Sequence, residues 1–314
     1  MKLTNYRIFG PVPSRRLGLS LGIDLVPFKT CTYDCIYCQV GRTTNKTIEC
    51  KEFFPVEDIL SQLKEKILST SFDVITFSGS GEPTLYKKLD ELVYEIKKLT
   101  NKKIVLLTNG SLFWNDEVRK RVLDVDIILP TITTVFEETH RLIHRPHPKL
   151  NINQIIDGLI KLRNAYDGKI FLEFFILKGI NDNEKELTAV KQTIDKINPE
   201  KIQINTVVRP PSEKIAVPVS SEDLRKVCDF FGNKAEIIAY IPRISSTEEV
   251  KEDKIKAILE MIKRRPVKDI DISNALGIDI NEVHSIIKGL LIKGMISEYE
   301  HLGDTYYVSK EGQR

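Results

Sequence analysis

Between residue 19 and residue 245, short β-branched runs alternate with amphipathic helical stretches, and no other feature of this chain constrains its fold as much. The runs are Leu19–Leu25, Val74–Phe77, Ile104–Leu107, Ile127–Leu129, Ile170–Leu177, Ile202–Thr206 and Ile237–Tyr240. Between them, Val56, Ile59, Leu60, Leu63 and Ile67 keep helical spacing, as do Ile152, Ile155, Ile156, Leu159 and Ile160, so each helix has one apolar stripe to lay on a sheet. Six or seven such units build a parallel sheet, either open and doubly wound or closed into a complete or partial barrel. In each case active groups gather at the C-terminal ends of the strands.

The pattern changes after Ile244–Asp253, a polar, strand-poor stretch that reads as a linker. Lys254–Arg265 reads as a helix stopped by Pro266, Val267–Leu276 as a second ended by Gly277, and Asn281–Lys293 as a third. Two short runs, Met295–Tyr299 and Thr305–Val308, then flank a turn. Three helices and a hairpin describe a winged helix-turn-helix. Residues 251–314 carry 11 Lys/Arg against 11 Asp/Glu, and the third helix offers only His284 and Lys288 to a nucleic acid, where a reading helix usually presents several contacts. A peptide, protein or packing role therefore stands beside nucleic-acid contact.

The chain is 41% hydrophobic and 29% charged, which excludes disorder and fibrous classes. No run approaches the roughly 20 apolar residues of a membrane span, and the first residues lack a signal-peptide core, so the expected location is cytoplasmic, with no membrane partner. Net charge is only +3, so any contact with a polyanion needs a local patch. Arg15 and Arg16 precede the first strand, while His144, Arg145, His147, Arg209 and Lys214 are candidates for a positive collar at the rim; ion pairing with Glu137, Glu138 and Glu213 is the alternative account of these basic residues.

Five cysteines are too few and too unevenly spaced for a disulfide framework, and three of them form Cys31-Thr-Tyr-Asp-Cys35-Ile-Tyr-Cys38 directly after the first strand. Three thiolates can hold three irons of a [4Fe–4S] cluster and leave the fourth open to a substrate or cofactor. Zinc is the competing metal; it wants a fourth ligand, for which Cys50 stands twelve residues on, and usually takes paired C-x2-C spacings. Cys228 reads as a packed apolar residue. A second glycine-rich segment, Ser78-Gly79-Ser80-Gly81-Glu82-Pro83-Thr84, follows the second strand, where a backbone without Cβ atoms admits a close ligand. Alone it would read as a turn capped by Thr84.

Together these segments resemble the radical S-adenosylmethionine (SAM) superfamily: the C-x3-C-x-aromatic-C signature with Tyr37 as the aromatic, then a loop similar to the family's Gly-Gly-Glu-Pro element, with Ser80 where its first glycine is common. The resemblance implies an α/β fold, a partial (βα)6 TIM-like barrel over residues 1–245, a linker over 246–253 and the small winged-helix domain over 254–314. It implies Cys31, Cys35 and Cys38 as cluster ligands, and Tyr37, Ser80, Gly81, Glu82, Thr108, Asn109 and Thr131 as SAM contacts. It also implies an enzyme that cleaves SAM reductively to a 5′-deoxyadenosyl radical, supplied with electrons by a flavodoxin or ferredoxin. The segments Gly10–Gly18, Arg145–Pro148, Lys178–Asp182 and Arg209–Pro211 are similar to those of the wyosine-forming tRNA enzymes, which makes RNA, tRNA first, or a peptide the expected substrate. Those enzymes carry a second cluster on upstream cysteines, and here no cysteine precedes Cys31. An iron–sulfur redox-sensing regulator with a DNA-reading tail is the alternative from another class. No side chain is assigned a catalytic role.

Overall fold

The structure, a computed structural model, describes residues 6–14, 16–239 and 254–310. Arg15, the linker at 246–253 and Tyr240 of the last run lie outside the described residues. One eight-stranded sheet runs in the order β1 (Ile8–Ser14), β2 (Gly18–Ile23), β5 (Val74–Phe77), β6 (Lys103–Thr108), β7 (Ile127–Ile132), β8 (Lys169–Phe175), β9 (Lys201–Asn205) and β10 (Ala235–Ile237). From β2 to β10 every neighbouring pair is parallel. The two remaining short strands, β3 (Thr30–Cys31) and β4 (Asn45–Lys46), pair with each other in the loop after β2. The connecting helices are α1 (Val56–Ser69), α2 (Leu89–Leu99), α3 (Asp116–Lys120), α4 (Glu137–His144), α5 (Ile152–Ala165), α6 (Glu184–Ile197) and α7 (Ser221–Phe231). Six of the sequence runs thus lie on parallel strands, while the last, Ile237–Tyr240, meets β10 only at Ile237, since that strand begins at Ala235.

Alternation along the strands sorts two layers. Ile104, Leu106, Ile128, Ile170, Leu172 and Phe174 belong to the large core shared with the helices. Their sequence neighbours Val105, Ile127 and Leu129 join Val74 in a separate cluster on the opposite face, against Leu107 and Phe171. That face is apolar only part of the way up. Beyond Leu129 it carries Thr131, and beyond Phe171 it carries Glu173, so the concave interior has a hydrophobic floor and a polar layer above it.

One strand departs from the sequence reading. Residues 8–14 contain Pro11 and Pro13, yet they form β1, antiparallel to β2 with a register shift between Phe9 and Val12. Proline is tolerated there because β1 is an edge strand that has no ladder partner beyond it. Its other side is covered by the C-terminal segment: α8 (Lys254–Arg264), α9 (Asp269–Leu276), α10 (Ile280–Ile292) and the hairpin β11 (Ile296–His301) and β12 (Asp304–Ser309). These elements have their own core of Ile258, Ile262, Val267, Ile272, Val283 and Ile287, and Val12 of β1 packs against it. Tyr306 Oη donates to the Val208 carbonyl at 2.8 Å and fixes a second contact between the two parts. Among the described residues no helix is long and apolar enough to cross a membrane.

Candidate functional site

The parallel strands end at Ile23, Phe77, Thr108, Ile132, Phe175 and Asn205, and the loops that follow converge on one cavity of about 410 Å³. Cys31, Cys35 and Cys38 all line it. The loop that carries them is tied down locally: Thr47 N–H donates to the Cys31 carbonyl, Thr43 N–H to Asp34, and Cys38 N–H to the Cys35 carbonyl. Tyr37 stacks on Phe175 with ring centroids 4.1 Å apart, which pins the segment between Cys35 and Cys38 to the end of β8.

Burial pushes the Cys31 thiol up to about 12 and raises those of Cys35 and Cys38, so as free side chains they hold their protons, and a bound metal is what would make them thiolates. Two hydrogen-bonding groups already address the sulfurs. Asn109 Nδ2 lies 3.6 Å from Cys31 Sγ, and His144 Nδ1 lies 3.1 Å from Cys35 Sγ. Among the described residues no three His, Cys, Asp or Glu side chains converge on a point that would hold a single ion. A [4Fe–4S] cluster takes one thiolate on each of three irons, and Cys31, Cys35 and Cys38 supply three on one cavity wall. The donor set fits the cluster.

The second loop is organised by one carboxylate. Glu82 Oε1 accepts from Thr84 N–H (3.0 Å), Thr84 Oγ1 (2.6 Å) and Thr108 Oγ1 (2.6 Å), and Oε2 accepts from Asn109 N–H (2.8 Å). Glu82 is buried, and burial raises its pKa against the pull of those four donors. It therefore binds the end of β5 to the end of β6, with one acceptor position left on Oε2 for a ligand donor such as an ammonium group. Gly81 beside it has no room for a side chain: a Cβ would lie 1.7 Å from the Thr30 carbonyl oxygen, so the glycine loop and the cysteine loop touch through backbone alone.

Of the expected SAM contacts, Tyr37, Gly81, Glu82, Thr108, Asn109 and Thr131 line the cavity. Ser80 does not; its N–H and hydroxyl both donate to Asp24, the residue after β2, and it secures the loop from behind. Thr131 donates to Glu173 at 2.7 Å and belongs to the polar layer, where Glu173 also accepts from Asn205 (2.8 Å) and from Arg16. Cys50 faces the Thr84 carbonyl at 3.6 Å, outside the cavity, and Cys228 packs partly buried against the large core.

The basic residues divide. Arg145, held in a left-handed conformation at the C-terminus of α4, pairs with Glu213 at 2.8 Å, and Arg42 pairs with the same carboxylate. His144 turns inward to Cys35 and Thr133. Of the expected collar, Arg209 lines the cavity, and Arg16, from before β2, lines it too. The rest of its positive lining comes from the C-terminal segment, where Arg264 and Arg265 form part of the wall beside Met261, a placement that spacing alone does not reveal. Arg264 lies 3.8 Å from Asp24 and 4.1 Å from the centroid of Phe9 on β1, so α8 reaches the same aspartate that holds Ser80. Glu173 was equally unremarked, although a charge inside the apolar run Ile170–Leu177, in phase with Phe171 and Phe175, is a readable signal for a residue inside a barrel.

Comparison with known proteins agrees with this geometry. The chain is 36% identical to a UPF0026 protein of Methanocaldococcus jannaschii over 96% of its own length and 95% of that protein's. It is also 36% identical, over 95% of its length, to a protein of Brachyspira hyodysenteriae named GTPase Obg, of which it spans only 44%. Among solved structures, TYW1 with a lysine-pyruvate adduct bound superposes with a TM-score of 0.53 at 15% identity, covering 71% of this chain and 75% of that one, a likeness of fold. The sequence profile of the Radical SAM superfamily matches residues 25–190, the span from just after β2 into α6 that holds Cys31, Cys35, Cys38 and the Glu82 loop. With a profile match over more than half its length and a donor set suited to the superfamily's cofactors, a [4Fe–4S] cluster and SAM, this enzyme belongs to the radical SAM superfamily.

Proposed function

We propose that this enzyme cleaves SAM reductively and uses the resulting radical to modify an RNA, tRNA first, in the cytoplasm, with a flavodoxin or ferredoxin as electron donor. Cys31, Cys35 and Cys38 would hold the cluster, which when bound would supply the electron for reductive cleavage of the SAM sulfonium. The residues of this chain do the rest. Glu82 and the loop around Gly81 bind and orient the amino-acid end of SAM, Asn109 addresses the Cys31 sulfur, and the apolar floor of Leu107 and Leu129 keeps water out of the base of the cavity.

The observation that carries this reading is that three thiols and the Glu82-centred loops line one cavity at the strand ends. Arg16, Arg209, Arg264 and Arg265 on its wall favour a phosphate-bearing substrate. We read the C-terminal elements as a winged helix by their order and, by the motifs from Gly10 to Arg209, place the chain beside the wyosine-forming enzymes in scaffold, without their second cluster. A peptide is the second reading, and Glu298, Glu300 and Asp304 favour it, because they give the exposed hairpin an acidic surface that repels phosphate. Anaerobic reconstitution with iron and sulfide, followed by dithionite and SAM, tests the reaction: 5′-deoxyadenosine should accumulate, and its absence from cluster-loaded protein sinks the proposal. Mass-spectrometric comparison of tRNA nucleosides and of the peptidome in a deletion strain decides the substrate.

A further inference from the structure

Two of the cavity's arginines are placed in a way that protein stability alone does not account for. Arg209, in the loop after β9, is only 5% exposed, and its Nε is buried without a hydrogen-bond partner. Its nearest carboxylate is Asp271 at 3.8 Å, beyond hydrogen-bond reach. Arg264, at the end of α8, shares the unpartnered buried Nε but not the rest: its Nη2 donates to Glu260 at 3.4 Å, and Asp24 stands 3.8 Å from Nη1. The two carboxylates that line the cavity are already engaged, Glu82 by its four donors and Glu173 by Arg16, Thr131 and Asn205. Buried guanidinium donors without acceptors are costly, and the planar N–H fork of arginine matches an oxyanion.

We infer that Arg209 and Arg264 form a subsite for an oxyanion of the substrate, a phosphate or a carboxylate, assembled from the barrel on one side and the C-terminal segment on the other. It rests on reading the cavity as the substrate chamber and adds the group by which the substrate is recognised. The C-terminal segment is then part of the binding site. Arg265 lines the same cavity.

Calorimetric titration of the anaerobic, cluster-loaded full chain with inorganic phosphate, pyrophosphate and pyruvate tests this without turnover. Saturable binding of at least one probe is expected, and the arm that binds tells phosphate from carboxylate. Arg209→Gln and Arg264→Gln should each weaken that binding at least tenfold, Arg209→Lys less, and Arg42→Gln, outside the cavity, not at all. Wild-type protein that binds none of the three probes overturns the inference, and so do folded variants that bind as wild type does. Should Arg264→Gln fail to fold, the wild-type titration and the Arg209 pair still decide. SAM cleavage is scored separately: oxyanion binding without cleavage removes the proposed reaction alone, and cleavage without oxyanion binding removes this subsite alone.

Discussion

The two sides of the cavity are built by different rules. On the cofactor side, the cysteine and glycine loops lie between Asp24 and Ser111, and their polar groups are largely matched: Glu82 has four donors, Asn109 bridges to Thr32 at 2.8 Å, and Ser80 donates to Asp24. On the arginine side, the groups come from residues 16, 209, 264 and 265, and two of them keep buried donors without acceptors. The first side is finished before a ligand arrives. The second is incomplete without one, as expected where specificity rather than chemistry is decided.

The sharpest way to break this comparison is to disturb the finished side where it has no slack. Gly81→Ala would put a methyl carbon 1.7 Å from the Thr30 carbonyl oxygen, and both partners are backbone, so the glycine loop or the cysteine loop must move. The expected result is a loss of more than about 3 kcal/mol of stability, with failure to retain the cluster's absorbance near 400 nm. A variant that loads the cluster and melts as the wild type does would show that the two loops are not fitted to each other.

Acid should also strike the cofactor side first. His140 is buried beside Tyr33, its Nε2 3.2 Å from the phenol and its Nδ1 without a partner, and burial lowers its pKa from 6.5 to about 4. The unfolded chain takes up a proton near pH 6.5 that the folded chain refuses until about pH 4. Stability is therefore full above pH 6.5, falls as pH drops through that window, and is reduced by about 3 kcal/mol once both forms are protonated. Because Tyr33 and the His144 that addresses Cys35 both pack on His140, cluster loss should follow the same curve. His140→Gln should flatten the pH dependence of melting between 6.5 and 4; an unchanged slope would place the acid-sensitive group elsewhere.

How much of each side the sequence discloses follows from how local it is. The cofactor side is written in contiguous segments, Cys31–Cys38, Ser78–Thr84 and Thr108–Asn109, each at a strand end that periodicity alone locates. The details within it were less legible. Nothing in the spacing says that Ser80 turns away from the cavity, since that depends on Asp24 across the strand. The strand β1 was hidden by Pro11 and Pro13, whose meaning changes once the strand is known to be an edge. The arginine side was scarcely visible. Arg264 and Arg265 look like the basic last turn of a helix before Pro266, and only the docking of α8 on β1 turns them toward the strand ends.

That docking can be probed through the Asp24–Arg264 pair, where the two sides meet. Asp24 receives Ser80 from the cofactor loop and Arg264 from α8, so this carboxylate is shared by both. A double-mutant cycle of Asp24→Asn and Arg264→Gln, read by chemical denaturation, should give a coupling energy of about 1 to 2 kcal/mol. Additive effects would mean that the sides are merely adjacent, and that the oxyanion subsite does not communicate with the SAM loop.

The smallest expected effect is at the far end of the same interface. Tyr306 is buried, and its hydroxyl donates to the Val208 carbonyl, next in sequence to Arg209. Tyr306→Phe removes the donor and keeps the ring, so it should cost about 1 kcal/mol, the net worth of one hydrogen bond. Its value lies in where the loss appears. If the C-terminal segment helps to place Arg209, the variant should weaken phosphate or carboxylate binding several-fold while SAM binding stays as it was, because Val208 and Arg209 are on the incomplete side and Glu82 is not. Equal losses of both ligands would mean that the cavity responds as one body, and the division between a finished side and an open one would fail.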